Sequence, residues 1–333
     1  MKLDFQQMQS IALGVERMAE TERGVDFFRF TEEQEALYKE RSADFYKKSF
    51  ASAGVQLRFR TDSRNLGLDI SVSSGSSRSF FCIELFVDGK RVDTLRNFDV
   101  EQMVGDYAGK GCPLGDFSKA FSLGEGEKEV CLYLPWSTKT TVRSLTLDDG
   151  ASVIPVKPRK RMLCFGDSIT HGYDAVYPSN HYTAQLAKLW DAEACNKAIG
   201  GEKFFPALAS ARSTFQPDVI TVAYGTNDWR HSTHDAFMEN CGGFLKNLRE
   251  TYPAARIVVL TPIWRKDLDA TCEVAPFAQM GELMEKIAAQ VKDIQVVRGL
   301  HFVPADPDCF GDLRLHPNDK GFCHYFENLA KQI

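Results

Sequence analysis

The chain reads Met-Leu-Cys-Phe-Gly-Asp-Ser-Ile-Thr at residues 162–170. Its first four residues are apolar and typical of a short buried strand, and Gly166 allows the backbone to turn sharply directly after that strand. We therefore expect the Ser168 hydroxyl to project at the carboxyl edge of a sheet, where α/β folds bind their ligands. The Gly-Asp-Ser triplet alone is a weak signal, because an ordinary turn serine has similar neighbours.

From this stretch to the end of the chain, short apolar strands alternate with amphipathic helical patterns. Strands are predicted at Met162–Phe165, Val219–Ala223, Ile257–Leu260 and Ile294–Val297. Helices are predicted at His181–Leu189, Ala207–Phe215, Asp235–Tyr252, Phe277–Val291 and Asp319–Lys331. This alternation predicts a parallel sheet covered by helices on both faces.

The residues before this part have the two-residue period of strands. Between about residues 54 and 147 apolar and polar residues alternate, as they do around Val55, Leu57 and Phe59. Turns rich in Gly, Ser and Asp separate the runs. Many short strands with frequent turns predict an antiparallel β-sandwich of the jelly-roll type.

One N-terminal segment is an exception and is predicted as a helix, over Thr31–Phe50 with Thr31 as its N-cap. At 333 residues the chain exceeds one average domain. We predict a β-sandwich accessory domain at residues 1–155 and an α/β domain at residues 156–333.

Composition excludes several classes of partner. The net charge of −5 gives no basic field for nucleic acid, and no run reaches the roughly 18 apolar residues of a membrane span. The N-terminus has no secretory pattern, and the nine cysteines include no C-x-x-C pair. We interpret the cysteines as buried thiols in a reducing compartment. We therefore expect a cytoplasmic protein, and we expect it to bind neither nucleic acid nor membrane.

Three further blocks supply polar groups for the edge of the sheet where Ser168 lies. They are Asn196–Gly201, Gly225–Asp228 and Asp312–Asp319; the second follows a predicted strand and the third precedes the last predicted helix. His316 offers a base for a Ser168 nucleophile, and the Gly201 N–H and the Asn227 amide offer donors for a developing oxyanion. These groups are sufficient for acyl transfer.

With these four blocks the chain resembles the SGNH (GDSL) hydrolase family over roughly its second half. The resemblance implies Ser168 as nucleophile, His316 as base, and an oxyanion hole formed by the N–H groups of Ser168 and Gly201 and the side chain of Asn227. Gly200 is close enough in sequence to take the place of Gly201. The implied mechanism needs no cofactor and no metal.

The third catalytic residue departs from the family pattern. The family places an aspartate three residues before the histidine, where this chain has Leu313, and Asp312 lies one residue further back. A turn can absorb the shift, so that Asp312 orients His316 as in a Ser-His-Asp triad. Alternatively, a backbone carbonyl orients His316 and the site is a Ser–His dyad.

Other residues near the blocks have two interpretations. Trp229 and Trp264 follow the second and third strands and either line the cleft, where aromatic planes contact sugar faces, or pack at the rim of the sheet. His231 and His234 lie close after Asn227, and a metal site there is conceivable, although the proposed chemistry does not require one.

The first functional hypothesis is a serine esterase that removes short acyl groups, chiefly acetyl, from a carbohydrate. A jelly-roll-like domain before an SGNH unit resembles the architecture of certain carbohydrate acetylesterases, which is an analogy of fold. Its partner would be a small-molecule or oligosaccharide ester. One alternative is a lysophospholipase or thioesterase acting on longer chains, and another is a catalytically inactive glycan-binding protein.

Overall fold

The computed structural model describes residues 1–99 and 111–333. Its strands are β1 Ala12–Leu13, β2 Arg17–Thr21, β3 Gly24–Phe28, β4 Gln56–Thr61, β5 Asn65–Ser74, β6 Cys82–Val87, β7 Lys90–Arg96, β8 Gly115–Ser122, β9 Lys128–Tyr133, β10 Thr138–Leu147, β11 Ile154–Pro155, β12 Lys160–Gly166, β13 Ala192–Asn196, β14 Val219–Ala223, β15 Arg256–Leu260 and β16 Ile294–Val297. Its α-helices are α1 Phe5–Ile11, α2 Glu32–Arg41, α3 Ala43–Ser49, α4 Ser168–His171, α5 Tyr182–Trp190, α6 Pro206–Ser210, α7 Thr226–His231, α8 His234–Thr251, α9 Met280–Ala288 and α10 Asp319–Ala330.

The N-terminal strands form two antiparallel sheets that pack face to face. One sheet has the order β1-β4-β9-β6-β7 with β11 paired to β4, and the other has the order β2-β3-β10-β5-β8. Leu57 and Leu132 from the first sheet and Leu68 and Ile70 from the second are buried in one shared core. The alternation seen in the sequence therefore marks the inner face of each sheet, and the prediction of a β-sandwich is confirmed.

The C-terminal strands form a parallel sheet in the order β13-β12-β14-β15-β16. Residues that alternate along β12 enter different cores. Leu163 and Phe165 pack under α8 and α9, whereas Met162 and Cys164 pack under α5 and α10. Helices therefore cover both faces, and the predicted α/β architecture is confirmed.

Helix α8 shows how the sequence produces these layers. The Thr233 side chain caps its N-terminus by accepting a hydrogen bond from the Ala236 N–H. The buried residues then recur at helical spacing, and they are Phe237, Cys241, Phe244, Leu245 and Leu248. This apolar stripe packs on the parallel sheet while the opposite face stays in solvent.

A divided helix, a shorter helix and a missed strand are the main differences between the prediction and the structure. The segment after Thr31 forms two helices, because Ser42 adopts an extended conformation (φ −166°) and caps α3. Helix α6 ends at Ser210 and does not continue to Phe215. Strand β13 was not predicted, since its five residues include two acidic or polar ones and three small apolar ones, which is a weak strand pattern.

Arg29 connects the N-terminal segment to the parallel-sheet core. The side chain has no exposed surface, and its guanidinium donates to the carbonyl oxygens of residues 48, 51, 196 and 198 at 2.5–3.1 Å. Burial lowers the pKa of Arg29 to about 10, which leaves the group charged at neutral pH. The neighbouring residues Phe30 and Tyr38 lie in the core of the parallel sheet.

All nine cysteines are unpaired thiols, and six of them are buried. Among the helices at residues 1–99 and 111–333, none is both long and apolar enough to cross a bilayer.

Arg29→Met should destabilise the protein by at least about 4 kcal/mol, because a buried carbonyl that loses its donor costs about 1–3 kcal/mol and four carbonyls are affected. The measurement is urea unfolding followed by circular dichroism. Arg23→Met, at an exposed arginine six residues earlier, is the matched control and should change the free energy of unfolding by less than about 0.5 kcal/mol. A loss below about 1 kcal/mol for Arg29→Met, which is the typical effect of any substitution, would contradict this role of Arg29.

Candidate active site

A tight turn places Ser168 at the carboxyl end of β12. A Cβ atom on Gly166 would lie 2.3 Å from Thr170 Oγ1 and 2.9 Å from the Ala223 carbonyl oxygen, so only glycine fits there. Asp167 is the N-cap of α4 and accepts a hydrogen bond from the Ile169 N–H at 2.9 Å. Ser168 follows as the first residue of α4 and is 5% exposed.

His316 bridges Ser168 and Asp312. Its Nε2 lies 2.8 Å from Ser168 Oγ, and its Nδ1 lies 2.8 Å from Asp312 Oδ2. An ionised carboxylate only accepts hydrogen bonds, so Nδ1 carries the proton and Nε2 is left to accept the Ser168 hydroxyl proton. The structure therefore brings together the three residues that the sequence predicted as nucleophile, base and orienting carboxylate.

Asp312 is fixed by its own loop. Its second carboxylate oxygen accepts hydrogen bonds from the backbone N–H groups of Arg314, Leu315 and His316 at 2.7–3.1 Å. Burial alone would raise the pKa of Asp312, but the hydrogen bonds and the charge of His316 outweigh it and hold the pKa well below its usual range. Asp312 therefore stays a carboxylate across the physiological pH range.

Leu313 accommodates the one-residue shift between Asp312 and the family pattern. Its backbone lies in the left-handed region with φ 57°, which is unfavourable for a leucine, and its side chain is 37% exposed. The extra residue is thus turned outward into solvent, and the carboxylate of Asp312 reaches the imidazole from one position further back.

Two predicted oxyanion donors lie on neighbouring segments. Asn227, in the first turn of α7, donates from its side-chain amide to the Glu202 carbonyl oxygen at 3.0 Å. Gly200 donates its N–H to His171 Nδ1 at 3.2 Å, whereas the Gly201 N–H has no acceptor among the residues that the structure describes. Gly201 has a left-handed φ of 89°. The Gly201 N–H is thus available for a ligand and the Gly200 N–H is not.

His171 is a neutral buried histidine. Its Nδ1 accepts from Gly200, so its Nε2 carries the proton and donates to the Trp136 carbonyl oxygen at 3.0 Å. Burial, together with the positive charge of Arg29, lowers the pKa of His171 well below its usual value. His171 thus links the loop before β10 to the segment that carries Gly201.

Three buried carboxyl groups around the site were not identified from the sequence. Burial raises the pKa of Asp167 to about 7, that of Glu202 to about 7 and that of Asp228 to about 6. Glu202 pairs with Arg41 at 2.7 Å, and Asp228 accepts from the Phe204 N–H at 3.1 Å. All three lie within or beside the motifs, but no pattern in the sequence signals their burial.

The two tryptophans take different positions. Trp229 has no exposed surface, packs on Phe277 and donates to the Ala275 carbonyl oxygen at 2.9 Å. It belongs to the core and does not line a cleft, so its predicted substrate contact is not supported. Trp264 is partly exposed, and its ring packs 5.1 Å from that of Phe310.

The structure gives no support to a metal site at His231 and His234, which are both exposed. Among the described residues, the three side chains close enough to share a metal are Asp174, Asp312 and His316. Both nitrogens of His316 are engaged, one as donor to Asp312 and one as acceptor from Ser168. This arrangement suits proton transfer, and we assign no metal to it.

Comparison with known proteins gives a family for part of the chain. Residues 164–322 match the model of the GDSL-like lipase/acylhydrolase family. No curated protein matches the sequence at a significant level.

Several solved structures share the fold of nearly the whole chain. A salicylyl-acyltransferase from a tetracycline biosynthetic pathway has a TM-score of 0.77 at 20% identity, covering 96% of this chain and 93% of that one. An acetyl xylan esterase from the rumen bacterium Butyrivibrio proteoclasticus has a TM-score of 0.64 at 15% identity, covering 99% and 96%. A family two carbohydrate esterase from Cellvibrio japonicus has a TM-score of 0.64 at 16% identity, covering 98% and 95%.

The raised pKa of Asp167 predicts a pH-dependent stability. Because the folded protein holds this proton up to about pH 7 and the unfolded chain releases it near pH 3.8, the contribution of Asp167 is lost as pH rises through this range. Asp167→Asn, which keeps an N-cap, should therefore gain stability relative to wild type as the pH rises from about 4 to about 7, which is the range between the two pKa values.

The measurement is the difference in melting temperature between variant and wild type at several pH values. Asp4→Asn, at the exposed N-cap of α1, is the matched control and should give a constant difference. A constant difference for Asp167→Asn as well would mean that Asp167 is ionised in the folded protein at pH 5.

Proposed function

We propose that the chain is a serine ester hydrolase that removes short acyl groups, chiefly acetyl, from carbohydrates. The match of residues 164–322 to the GDSL-like lipase/acylhydrolase family supports this class of enzyme. The observation that carries the catalytic part of this proposal is the continuous hydrogen-bond chain from Ser168 through His316 to Asp312, with both distances at 2.8 Å. Such a chain activates a hydroxyl that is otherwise a weak nucleophile.

In the proposed mechanism, His316 Nε2 takes the hydroxyl proton as Ser168 Oγ attacks the ester carbonyl carbon. The tetrahedral intermediate collapses, the C–O bond to the alcohol breaks, and His316 returns the proton to the leaving alkoxide. Water then attacks the acyl-enzyme with His316 again as base, which releases the carboxylic acid and restores Ser168. Asp312 keeps the imidazole in the required tautomer and stabilises the imidazolium.

The oxyanion that forms in both steps needs donors placed in advance. We assign this role to the N–H groups of Ser168 and Gly201 and to the amide of Asn227. The hydrogen bond from Asn227 to the Glu202 carbonyl oxygen fixes the orientation of the amide and leaves its second N–H for the substrate. Gly200 is excluded from this role because its N–H bonds to His171.

The carbohydrate part of the proposal is supported by likeness of fold. The structural alignments with an acetyl xylan esterase and with a family two carbohydrate esterase include at least 98% of this chain and at least 95% of the other chain. At 15–16% identity this likeness concerns architecture, so the sugar and the acyl group are our inference.

The longer-chain alternative has one observation in its favour. An apolar cavity of about 310 Å³ lies at the carboxyl edge of the parallel sheet, between the loops that follow β15 and β16, and it is lined by Trp264, Leu268, Leu300 and Val303 among others. Such a cavity could receive an acyl chain of a lysophospholipid or thioester. The ester panel below separates this alternative from the acetylesterase.

The third hypothesis, an inactive glycan-binding protein, conflicts with the hydrogen bonds at Ser168. A fluorophosphonate probe reacts with an activated serine, so labelling that requires Ser168 excludes an inactive site.

Three further sequence predictions stay part of the proposal. They are the division of the chain at residue 155, the jelly-roll type of the sandwich and the cytoplasmic location. The nine unpaired cysteines support the reducing compartment.

Ser168→Ala should lower ester hydrolysis by about 10³-fold or more without unfolding the protein, because the hydroxyl is the nucleophile and lies at a strand end. The measurement is the kcat for p-nitrophenyl acetate, with Ser210→Ala, an exposed serine on α6, as the matched control. Near-wild-type turnover of Ser168→Ala would reject the serine-hydrolase mechanism.

Asn227→Ala should reduce kcat by roughly 10²–10³-fold with little change in KM, because its donor matters most in the transition state. Asn247 is a matched control, since it is also half-buried and also donates to a backbone carbonyl at 3.0 Å. Asn247→Ala should leave kcat within a few-fold of wild type. A change confined to KM for Asn227→Ala would assign this residue to substrate binding instead.

Chain-length preference tests the acyl group. In a pocket that fits an acetyl group, each further methylene should cost about 1–3 kcal/mol of transition-state binding, and kcat/KM should fall accordingly. We expect p-nitrophenyl acetate to be cleaved faster than the octanoate ester, and acetylated oligosaccharides to release acetate. A kcat/KM that rises steadily from two to eight carbons would favour the alternative that uses the cavity at Trp264.

A further inference from the structure

Two carboxylates, and not one, face Nδ1 of His316. Asp312 Oδ2 lies 2.8 Å from this nitrogen and Asp174 Oδ2 lies 3.7 Å from it. The distance to Asp174 is too long for a direct hydrogen bond. It is short enough for the carboxylate charge to act on the imidazole, which becomes a cation when it takes the Ser168 proton. Asp174 is only 2% exposed, so water screens its charge weakly.

A β-sandwich residue holds Asp174 in this position. Arg78, in the loop after β5, binds both carboxylate oxygens, with Nε at 2.9 Å from Oδ1 and Nη2 at 3.3 Å from Oδ2. This fork matches the planar geometry of a carboxylate, which a lysine could not reproduce. The 75–79 loop also contacts Tyr173, because the backbone N–H of Ser77 lies 3.4 Å from the Tyr173 hydroxyl.

The segment that carries Asp174 is also pressed against the loop of His316. Asp174 adopts a left-handed φ of 68°. A Cβ atom added to Gly311 would lie 2.6 Å from the Cβ of Asp174, so the two segments are in close contact. The ring of Tyr173 lies 5.4 Å from that of His316. Side chain and backbone therefore leave Asp174 little freedom to move away from the imidazole.

We propose that Asp174 and Arg78 are positioning residues for His316, and that the ion pair which they form adjusts how readily the imidazole takes the Ser168 proton. This inference rests on the proposed function, in which His316 is the base. The carboxylate of Asp174 favours the imidazolium, and the guanidinium of Arg78 offsets part of that effect, since without it two unbalanced negative charges would face one imidazole. In this way a residue of the sandwich acts on the chemistry of the α/β domain.

The charged groups near His316 come from several segments. Asp312 lies on the same loop, Asp174 and Asp167 lie on either side of α4, and Arg78 reaches in from the sandwich. The positive charge of Arg265, in the loop after β15, favours the ionised form of the Asp167 carboxyl. Single substitutions at Asp174 and Arg78 change one charge each and leave the other members of this group in place.

The two substitutions should move the pH profile of kcat/KM in opposite directions. Asp174→Asn removes a negative charge and leaves the Arg78 cation, so the acid limb should move to lower pH by about one unit, a change well within the usual influence of a close charge. Arg78→Met leaves the Asp174 carboxylate alone, so the acid limb should move to higher pH by a similar amount. The double variant should return close to the wild-type limb, because the two charges are removed together.

We also expect Asp174→Asn to lower kcat by about 10-fold with little change in KM. A displacement of the acid limb by about one pH unit means that the base binds its proton about ten times more weakly, and the base takes up that proton in the transition state. Asp26→Asn is the matched control, because Asp26 is buried and paired to Lys139 at 2.6 Å within the sandwich. It should change neither kcat nor the acid limb. The profiles are measured with p-nitrophenyl acetate on variants whose folding is checked by circular dichroism.

Equal limbs in wild type, Asp174→Asn and Arg78→Met, or movement in the same direction, would overturn the inference while leaving the serine-esterase proposal intact. If Asp174→Asn does not fold, Arg78→Lys against Arg78→Met decides, because the lysine retains the charge and should retain the wild-type limb. Identical limbs for these two variants would also overturn it. Failure of the proposed function shows separately, as activity that persists in Ser168→Ala.

Discussion

Two buried cations hold the segment that leads from β13 to Gly201, and much of the molecule depends on them. Arg29 binds the carbonyl oxygens of residues 196 and 198, and Lys48 Nζ binds that of Gly200 at 2.8 Å. Both side chains originate in the N-terminal half of the chain. Burying them is unfavourable unless each N–H finds an acceptor. The segment is therefore fixed to α3 and to the residue that follows β3, and the N–H of Gly201 is presented at a defined place.

The β-sandwich is in this respect part of the site. Trp136 Nε1 donates to the Ala175 carbonyl oxygen at 2.7 Å, and the Trp136 carbonyl oxygen accepts a hydrogen bond from His171 Nε2. Through His171 the same loop reaches Gly200, and through Arg78 another loop reaches Asp174. Loops placed on a rigid scaffold commonly carry function, and here two loops of one scaffold brace the loops of another.

The sequence predicted those parts of the fold and site that have a local signal. Period and turn chemistry gave the sandwich and four strands of the parallel sheet, but β13 lacks a strong strand pattern and Ser42 divides a helix that otherwise looks continuous. Ser168, His316 and Asn227 stand in motifs, and the structure brings the first two into contact, while their roles stay predictions. Asp174 stands in no motif. It reaches His316 through a tertiary contact between residues that are 142 positions apart (316 − 174), and such a contact has no local signal in the sequence.

The contacts of Arg29 and of β3 also bear on how the protein is made. β3 pairs with β10, and its Asp26 bonds to Thr141, 115 residues later, while the Arg29 acceptor at Asn196 follows 167 residues after it. At a synthesis rate of about 5–20 residues per second, these partners leave the ribosome roughly 6–33 s after the strand that needs them. During that interval Phe30 lacks the parallel-sheet residues of its core, all of which lie after residue 160. The stretch that is synthesised early thus becomes stable late, and the nascent chain depends on protection from aggregation while it waits.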